Sequence, residues 1–167
     1  MDLPLPSVEE INNNYTYAIG IDPDTEASGI AIWCVERNEY IAYTRTKFFE
    51  LYDYLDQLLT HGIRFEVAIE AGWNNPSIMH HIHGYASRAK AASIGANVGA
   101  NHETGRKIVE MCQWLGIIYW TLTPTSSKWT PTMLQHLTNI ELSKSQQDII
   151  DAMRLVYAYR KPIQELL

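Results

Sequence analysis

Long hydrophobic runs are missing from this sequence. No stretch of about 18 consecutive apolar residues occurs, so we expect no membrane-spanning helix. Residues 1–14 also lack a basic start followed by an apolar run, which argues against a secretory signal. Cysteine is scarce, because only Cys34 and Cys112 occur, far apart and in no metal-binding or redox motif. Both cysteines suit a reducing compartment, and we therefore expect a cytoplasmic protein.

Basic residues are too few to give the chain a positive charge. Its 13 lysines and arginines are outnumbered by 19 acidic residues, for a net charge of -6, which by itself argues against a nucleic-acid partner. The distribution is uneven, however. Residues 1–80 contain four basic and 13 acidic residues, whereas residues 81–167 contain nine basic and six acidic residues. The second half could therefore face phosphates, and bound metal could neutralise some acids of the first half.

The chain has enough apolar residues for one folded domain. With 167 residues, 46% of them hydrophobic, we expect a single domain, 1–167, in which residues 1–14 form a loosely held lead-in. Hydrophobic periodicity predicts strands over 15–22, 28–36, 39–47, 64–70 and 117–122. It predicts helices over 48–60, 103–115 and 132–138, a last helix ending at Tyr159, and a possible helix over 77–92. The order βββαβαβα predicts an α/β fold, a five-stranded mixed sheet with helices on both faces.

Four acids lie at the ends of these elements. Asp22 ends the first strand, Glu70 ends the fourth, and Asp148 and Asp151 share a face near the start of the last helix. If strands one and four pair in parallel, Asp22 and Glu70 emerge at one edge of the sheet, where the last helix could bring the other two. Such carboxylates repel one another unless a divalent cation binds, and oxygen ligands suit Mg²⁺ or Mn²⁺. Two ions about 3.5–4 Å apart could then support phosphodiester hydrolysis.

Each acid also has an ordinary structural interpretation. Asp22 could bond to its own turn, Glu70 could form an ion pair, and Asp151 could lie on a solvated face. Asp148 could be stabilised by the N-terminus of its helix. For a single residue each of these is more common than metal ligation. The four acids together, in this element order, nevertheless favour a metal site.

Three sequence blocks resemble the RuvC family of Holliday-junction resolvases, within the ribonuclease H-like superfamily. They are AIGIDPDTEASG at 18–29, VAIE at 67–70 and SQQDIIDAM at 145–153. The resemblance implies a ribonuclease H-like domain that cleaves branched DNA with two Mg²⁺ ions, replaceable by Mn²⁺, leaving 3′-hydroxyl and 5′-phosphate ends. It implies that Asp22, Glu70, Asp148 and Asp151 are both metal ligands and catalytic residues. It also implies a homodimer that acts in DNA recombination and repair.

Two features depart from the family's pattern and leave its finer properties open. Asp24 stands where the family usually has glycine, and residues 71–105 look long and divergent. Two other functions therefore stay open: a catalytically idle domain that binds branched DNA, and a ribonuclease H-type nuclease for RNA–DNA hybrids. A sugar-kinase-like phosphotransferase would need a second domain of the same kind, for which the chain is too short.

DNA contacts are predicted from aromatic and basic residues near the acids and in the second half. The candidates are Trp73, Asn74, Arg88, Lys90, Arg106, Lys107, Lys128 and Lys144. The basic side chains could contact phosphates, although solvated positions are at least as common for such residues. Trp73 could stack on bases or wedge between them, although a tryptophan at such a position more often covers the core.

Two other patterns have ordinary explanations. His80, His81 and His83 lie close together in the sequence, but no cysteine or second histidine pair completes a zinc set. We therefore do not predict a zinc site there. Tyr119 and Trp120 are expected to lie in the core as part of the fifth strand.

Overall fold

The computed structural model describes residues 1–75 and 87–160. Five strands form its sheet: β1 (Thr16–Asp22), β2 (Ser28–Cys34), β3 (Glu39–Thr46), β4 (Arg64–Glu70) and β5 (Tyr119–Leu122). The α-helices of the described residues are α1 (Phe48–Thr60), α2 (Arg88–Leu115), α3 (Pro131–Thr138) and α4 (Gln147–Tyr157). Short 3₁₀ turns cover Val8–Glu10, Gly72–Asn74 and Lys144–Gln146. None of these helices is long and apolar enough to cross a bilayer.

The strands form one mixed sheet in the order β3-β2-β1-β4-β5. β2 is antiparallel to both of its neighbours, whereas β4 runs parallel to β1 and to β5. In the β1–β4 ladder Ile21 lies opposite Ile69, so the carboxyl ends of β1 and β4 meet at the same edge of the sheet. The predicted parallel pairing of the first and fourth strands is therefore confirmed.

Helices cover both faces of the sheet because its central strands are apolar on both sides. All seven residues of β2 are buried. On one face the core includes Leu55 of α1 and Ile108 of α2, and on the other it includes Ile149 and Met153 of α4. Burying a side chain of this size is worth roughly 1.5–3 kcal/mol. The predicted α/β class, a five-stranded mixed sheet with helices on both faces, is confirmed.

Two glycines let α4 approach the sheet closely. A Cβ at Gly20 of β1 would lie 2.2 Å from the main-chain oxygen of Ala152, and one at Gly29 of β2 would lie 2.2 Å from that of Asp148. Both distances are far inside van der Waals contact, so no larger residue fits without moving the helix. The backbone of α4 therefore lies directly on β1 and β2, with its first turn next to the carboxyl end of β1.

The N-terminal segment is packed on the domain, so the prediction of a loose lead-in is wrong. Leu3 forms a bridge with Tyr43, with main-chain hydrogen bonds of 2.9 and 3.0 Å. Val8 and Ile11 are buried in the core on the α1 face. The apolar residues of this segment are too widely spaced to give a clear periodic signal, yet Leu5 packs against the same core that buries Val8 and Ile11.

Two predictions about the second half need correction. The separate helices predicted over 77–92 and 103–115 are one long helix where the structure describes them, because α2 runs unbroken from Arg88 to Leu115. Its three internal glycines, Gly95, Gly99 and Gly105, all stay helical. Trp120 is 55% exposed rather than in the core, because β5 is a short edge strand, while Tyr119 is partly buried against the core. His80, His81 and His83 lie outside the residues that the structure describes.

Candidate active site

Three carboxylates meet at the carboxyl ends of β1 and β4. Asp22 is the last residue of β1, Glu70 is the last of β4, and Asp151 lies on α4. Carboxylate oxygens of these three residues all lie within 4.8 Å of one another. We call Asp22, Glu70 and Asp151 the acid cluster. It forms because parallel strands end at one edge and because α4 crosses that edge close to the sheet.

The acid cluster is shielded from water. Glu70 is 7% exposed and Asp151 is 1% exposed, while Asp22 is partly buried. The pKa of Asp22 is raised well above its ordinary value. The largest cause is burial, followed by the charge of Glu70, the hydrogen bond between Asp22 and Glu70, and the charge of Asp151. Without a cation, Asp22 therefore tends to keep its proton, and a bound cation would favour its ionised form.

Two basic side chains already contact the acid cluster. Lys128 donates from Nζ to Oδ2 of Asp151 at 2.5 Å, and Arg154 donates from Nη2 to Oε1 of Glu70 at 3.2 Å. Burial opposes the charge on Lys128, but the hydrogen bond to Asp151 and the charges of the three acids raise its pKa overall. Within residues 1–75 and 87–160, two basic side chains contact the three carboxylates, so one negative charge of the fully ionised cluster has no basic partner there.

Sequence reasoning missed two of the groups that hold these acids. Arg154 lies three residues after Asp151 on the same face of α4, a spacing that could have suggested it. It also donates from Nη1 to Oγ1 of Thr125 at 2.9 Å. Gln147, one turn before Asp151, donates from Nε2 to Oδ1 of Asp151 at 3.0 Å and to the main-chain oxygen of Trp129 at 2.9 Å.

Asp148, the fourth predicted ligand, is not part of the acid cluster. Its carboxylate accepts two hydrogen bonds from Arg45 of β3, with Nε to Oδ2 at 2.5 Å and Nη2 to Oδ1 at 2.6 Å. Nη2 of Arg45 also donates to the main-chain oxygen of Ser145 at 2.5 Å. Arg45 was not predicted, and it could not have been, because it is 103 residues from Asp148 in the sequence.

The aromatic candidate near the acids is engaged in packing. A Cβ at Gly105 of α2 would lie 2.3 Å from Cζ3 of Trp73, so this ring lies close against the helix at Gly105. The guanidinium of Arg106 lies 5.9 Å from the centre of the same ring. Asn74 donates to Oγ1 of Thr123 at 3.3 Å, in the loop after β5. These contacts agree with the alternative in which Trp73 covers the core.

The predicted basic residues of α2 lie at two separate places along the helix. Arg88 and Lys90 lie in the first turn of α2, whereas Arg106 and Lys107 lie 16 to 19 residues later, which is roughly 24–29 Å along a helix. Arg106 and Lys107 face Glu103 and Glu110 at 3.6 and 2.7 Å. Lys144 is exposed just before α4. Lys128, also among the predicted basic residues, contacts the acid cluster through Asp151.

The donor set of the acid cluster fits a hard divalent cation. All its side-chain donors are carboxylate oxygens, which Mg²⁺ and Mn²⁺ prefer over nitrogen or sulfur. The spread of 4.8 Å or less between their oxygens is compatible with ligands on a shared ion. Burial, followed by the charges of Glu70 and Asp151, raises the pKa of Asp22, and a cation at this point would offset both effects. Three carboxylates suit one such ion, and the second predicted ion stays a prediction.

Comparison with known proteins gives likenesses at the level of the fold. No protein-family model matches the sequence, and no curated protein matches it. The chain is similar to Thermus thermophilus RuvC in complex with a Holliday junction substrate, with 12% identity and a TM-score of 0.48 over 84% of this chain and 90% of that one. A second Thermus thermophilus RuvC structure has 12% identity and a TM-score of 0.46, and the match covers 86% of this chain and 93% of that one. The large terminase nuclease from thermophilic phage G20c has 15% identity and a TM-score of 0.36, and the match covers 90% of this chain and 85% of that one.

At these identities and TM-scores the likenesses assign no activity, substrate or partner to this chain. Function therefore has to be inferred from the chain's own residues, above all from the acid cluster and the groups that contact it.

Proposed function

We propose that the protein is a divalent-metal-dependent endonuclease that cleaves phosphodiester bonds in branched DNA. The observation that carries this proposal is the acid cluster, in which Asp22, Glu70 and Asp151 come from three separate elements to within 4.8 Å of one another. A purely structural role gives no reason to gather three carboxylates at one point where the described residues supply two basic partners. Without a further cation, Asp22 must either carry a charge that is costly there or keep its proton. Branched DNA is chosen as the substrate because of the three sequence blocks that resemble the RuvC family.

Each residue of the site has a defined task in this proposal. Asp22, Glu70 and Asp151 would hold Mg²⁺ or Mn²⁺ through their oxygens. When bound, the metal would lower the pKa of water and stabilise charge on the leaving oxygen of a phosphodiester. Gln147 holds Oδ1 of Asp151 in place. Lys128, whose side chain is 50% exposed, can reach a phosphate as well as Asp151.

The test is a pair of matched Asp→Asn substitutions. Asp22→Asn removes one carboxylate of the acid cluster, whereas Asp53→Asn changes an exposed acid of α1, which packs on the opposite face of the sheet from α4. Nicking of a four-way DNA junction is measured with Mg²⁺, with Mn²⁺ and with a chelator. We expect D22N to lose activity by about 10²-fold or more and D53N to retain it. Full activity in purified, folded D22N would reject the proposal.

Two alternatives are separated by the same protein preparations. A catalytically idle domain that binds branched DNA would show no Mn²⁺ binding that depends on Asp22, so metal titration of the wild type and D22N distinguishes it. A nuclease for RNA–DNA hybrids would cut a hybrid duplex in preference to a four-way junction of the same length.

The second metal ion, the homodimer and the cytoplasmic location remain predictions. DNA binding should weaken with added salt, because contacts between basic side chains and phosphates release counterions.

A further inference from the structure

Arg45 joins the edge strand β3 to the first turn of α4. Its guanidinium makes a two-pronged contact with Asp148, at 2.5 and 2.6 Å, and a third contact with the main-chain oxygen of Ser145 at 2.5 Å. Side-by-side contacts between guanidinium and carboxylate are among the stronger and more directional hydrogen bonds in proteins. Both oxygens of Asp148 therefore already accept a charged donor.

This contact lies in line with the acid cluster across the sheet. Asp22 is opposite Gly29 in the β1–β2 ladder, and Gly29 is opposite Arg45 in the β2–β3 ladder. The backbone of α4 lies on the middle position of this row, since a Cβ at Gly29 would lie 2.2 Å from the main-chain oxygen of Asp148. Arg45 thus holds the helix at one end of the row, and the acid cluster lies at the other.

The spacing along α4 connects the two ends. Asp148 and Asp151 are three residues apart, so fixing the first turn of the helix also fixes where Asp151 lies. Asp151 is 1% exposed and contacts Gln147 and Lys128. A small shift of the first turn would therefore move a carboxylate that has little freedom to compensate.

We propose that Asp148 is a positioning residue rather than a metal ligand, and that it acts with Arg45 as a unit. The pair fastens the first turn of α4 to the sheet and thereby places Asp151 in the acid cluster. This inference rests on the proposed function, because it concerns the same metal site. It assigns to Arg45 a task in metal binding even though Arg45 does not contact the cluster.

The direction in which Arg45→Gln changes the Mn²⁺ affinity distinguishes a positioning role of Asp148 from a role as metal ligand. If Asp148 were a ligand held back by Arg45, Arg45→Gln would free it and leave Mn²⁺ affinity unchanged or raise it. If the pair positions Asp151, both Arg45→Gln and Asp148→Asn must lower the affinity, and by a similar factor. Loss of groups that orient metal ligands typically costs about 10–100-fold in affinity.

The experiment measures Mn²⁺ affinity of the full chain by isothermal titration calorimetry and by the free-ion signal in electron paramagnetic resonance. We expect about tenfold weaker binding in R45Q, in D148N and in the double variant, with an unchanged number of bound ions. R45K, which restores the charge without the two-pronged contact, should recover part of the affinity. As a control, R37Q removes the partner of Glu39 in an exposed ion pair at the opposite end of β3 and should leave the affinity unchanged.

Two results would overturn the proposal. One is a D148N variant that loses an ion while R45Q binds Mn²⁺ as well as the wild type. The other is a double variant whose loss is the product of the two single losses, because residues acting as a unit should not be additive. If the wild type binds no Mn²⁺ through Asp22, the proposed function fails instead. Urea denaturation in chelator then still tests the pair, since the double variant should lose no more stability than either single variant.

Discussion

The ammonium of Lys128 lies 2.5 Å from Oδ2 of Asp151, although the lysine side chain is 50% exposed and the aspartate side chain only 1% exposed. An exposed cation thus compensates a buried anion. Arg154 likewise compensates the charge of Glu70, but there both side chains are largely buried. The metal-free acid cluster is therefore stabilised by side chains that a divalent cation would partly replace.

Lys128→Gln should destabilise the metal-free protein by about 1–3 kcal/mol, because it leaves the buried carboxylate of Asp151 without its cation. The loss should shrink when Mg²⁺ is present, since the metal supplies the missing positive charge. Urea denaturation in chelator and in Mg²⁺ measures both values. Lys144→Gln is the matched control, because Lys144 is exposed and outside the acid cluster. Equal losses for K128Q in the two conditions would contradict this reasoning.

The stability of the metal-free protein should fall as pH rises through the raised pKa of Asp22. A carboxyl whose pKa is higher in the folded than in the unfolded state favours folding below its unfolded pKa, near 3.8, and that contribution is lost as pH rises through the folded pKa. Asp22→Asn imitates the protonated form at every pH, so its advantage over the wild type should grow with pH.

Thermal melting in chelator between about pH 4 and pH 8 checks this dependence. The wild type and D22N should melt at similar temperatures at the acid end and diverge toward the alkaline end. Asp53→Asn, on the exposed face of α1, should show no such divergence. A constant difference between D22N and the wild type would mean that the Asp22 carboxyl is ionised throughout.

The sequence predicts the acid cluster better than it predicts the contacts around it. Asp22 and Glu70 can be found because each ends an apolar strand, and parallel pairing brings such ends to one edge. Asp151 follows because it lies near the start of an amphipathic helix that must pack on that edge. Its partner in the motif, Asp148, cannot be placed the same way, because its contact with Arg45 depends on the register between β2 and β3. That register contains a shift between Ile32 and Trp33, which no local pattern indicates.

Exposure at the sheet edge could not be predicted either. The residues around Trp120 have the composition of a core strand. However, β5 has only four residues and lies at the edge of the sheet, paired with β4. Nothing in the local sequence distinguishes such an edge strand from a central one. The packing of Leu3, Val8 and Ile11 likewise depends on where β3 and α1 leave apolar surface uncovered.

Gly20→Ala should destabilise the protein by about 1–3 kcal/mol and weaken metal binding, because the added Cβ would lie 2.2 Å from the main-chain oxygen of Ala152. The helix α4 would have to move away from β1 and would carry Asp151 with it. Gly99→Ala is the matched control. Its Cβ meets nothing within 4 Å, and it lies inside α2, so it should be neutral or stabilising by roughly 0.5–1 kcal/mol. Urea denaturation and Mn²⁺ titration of both variants test the contrast.

Trp73→Ala should cost about 1–3 kcal/mol of stability, because the ring covers Gly105 and contacts Arg106 rather than projecting toward a ligand. Trp114→Ala removes the same side chain from a position that is 82% exposed and should change stability by less than about 0.5 kcal/mol. Denaturation followed by far-ultraviolet circular dichroism compares the two variants. Binding of a four-way junction by W73F, which keeps an aromatic ring in the same place, gives an independent readout. If W73A were as stable as the wild type but bound the junction much more weakly, Trp73 would be a DNA-contacting residue and not a packing residue.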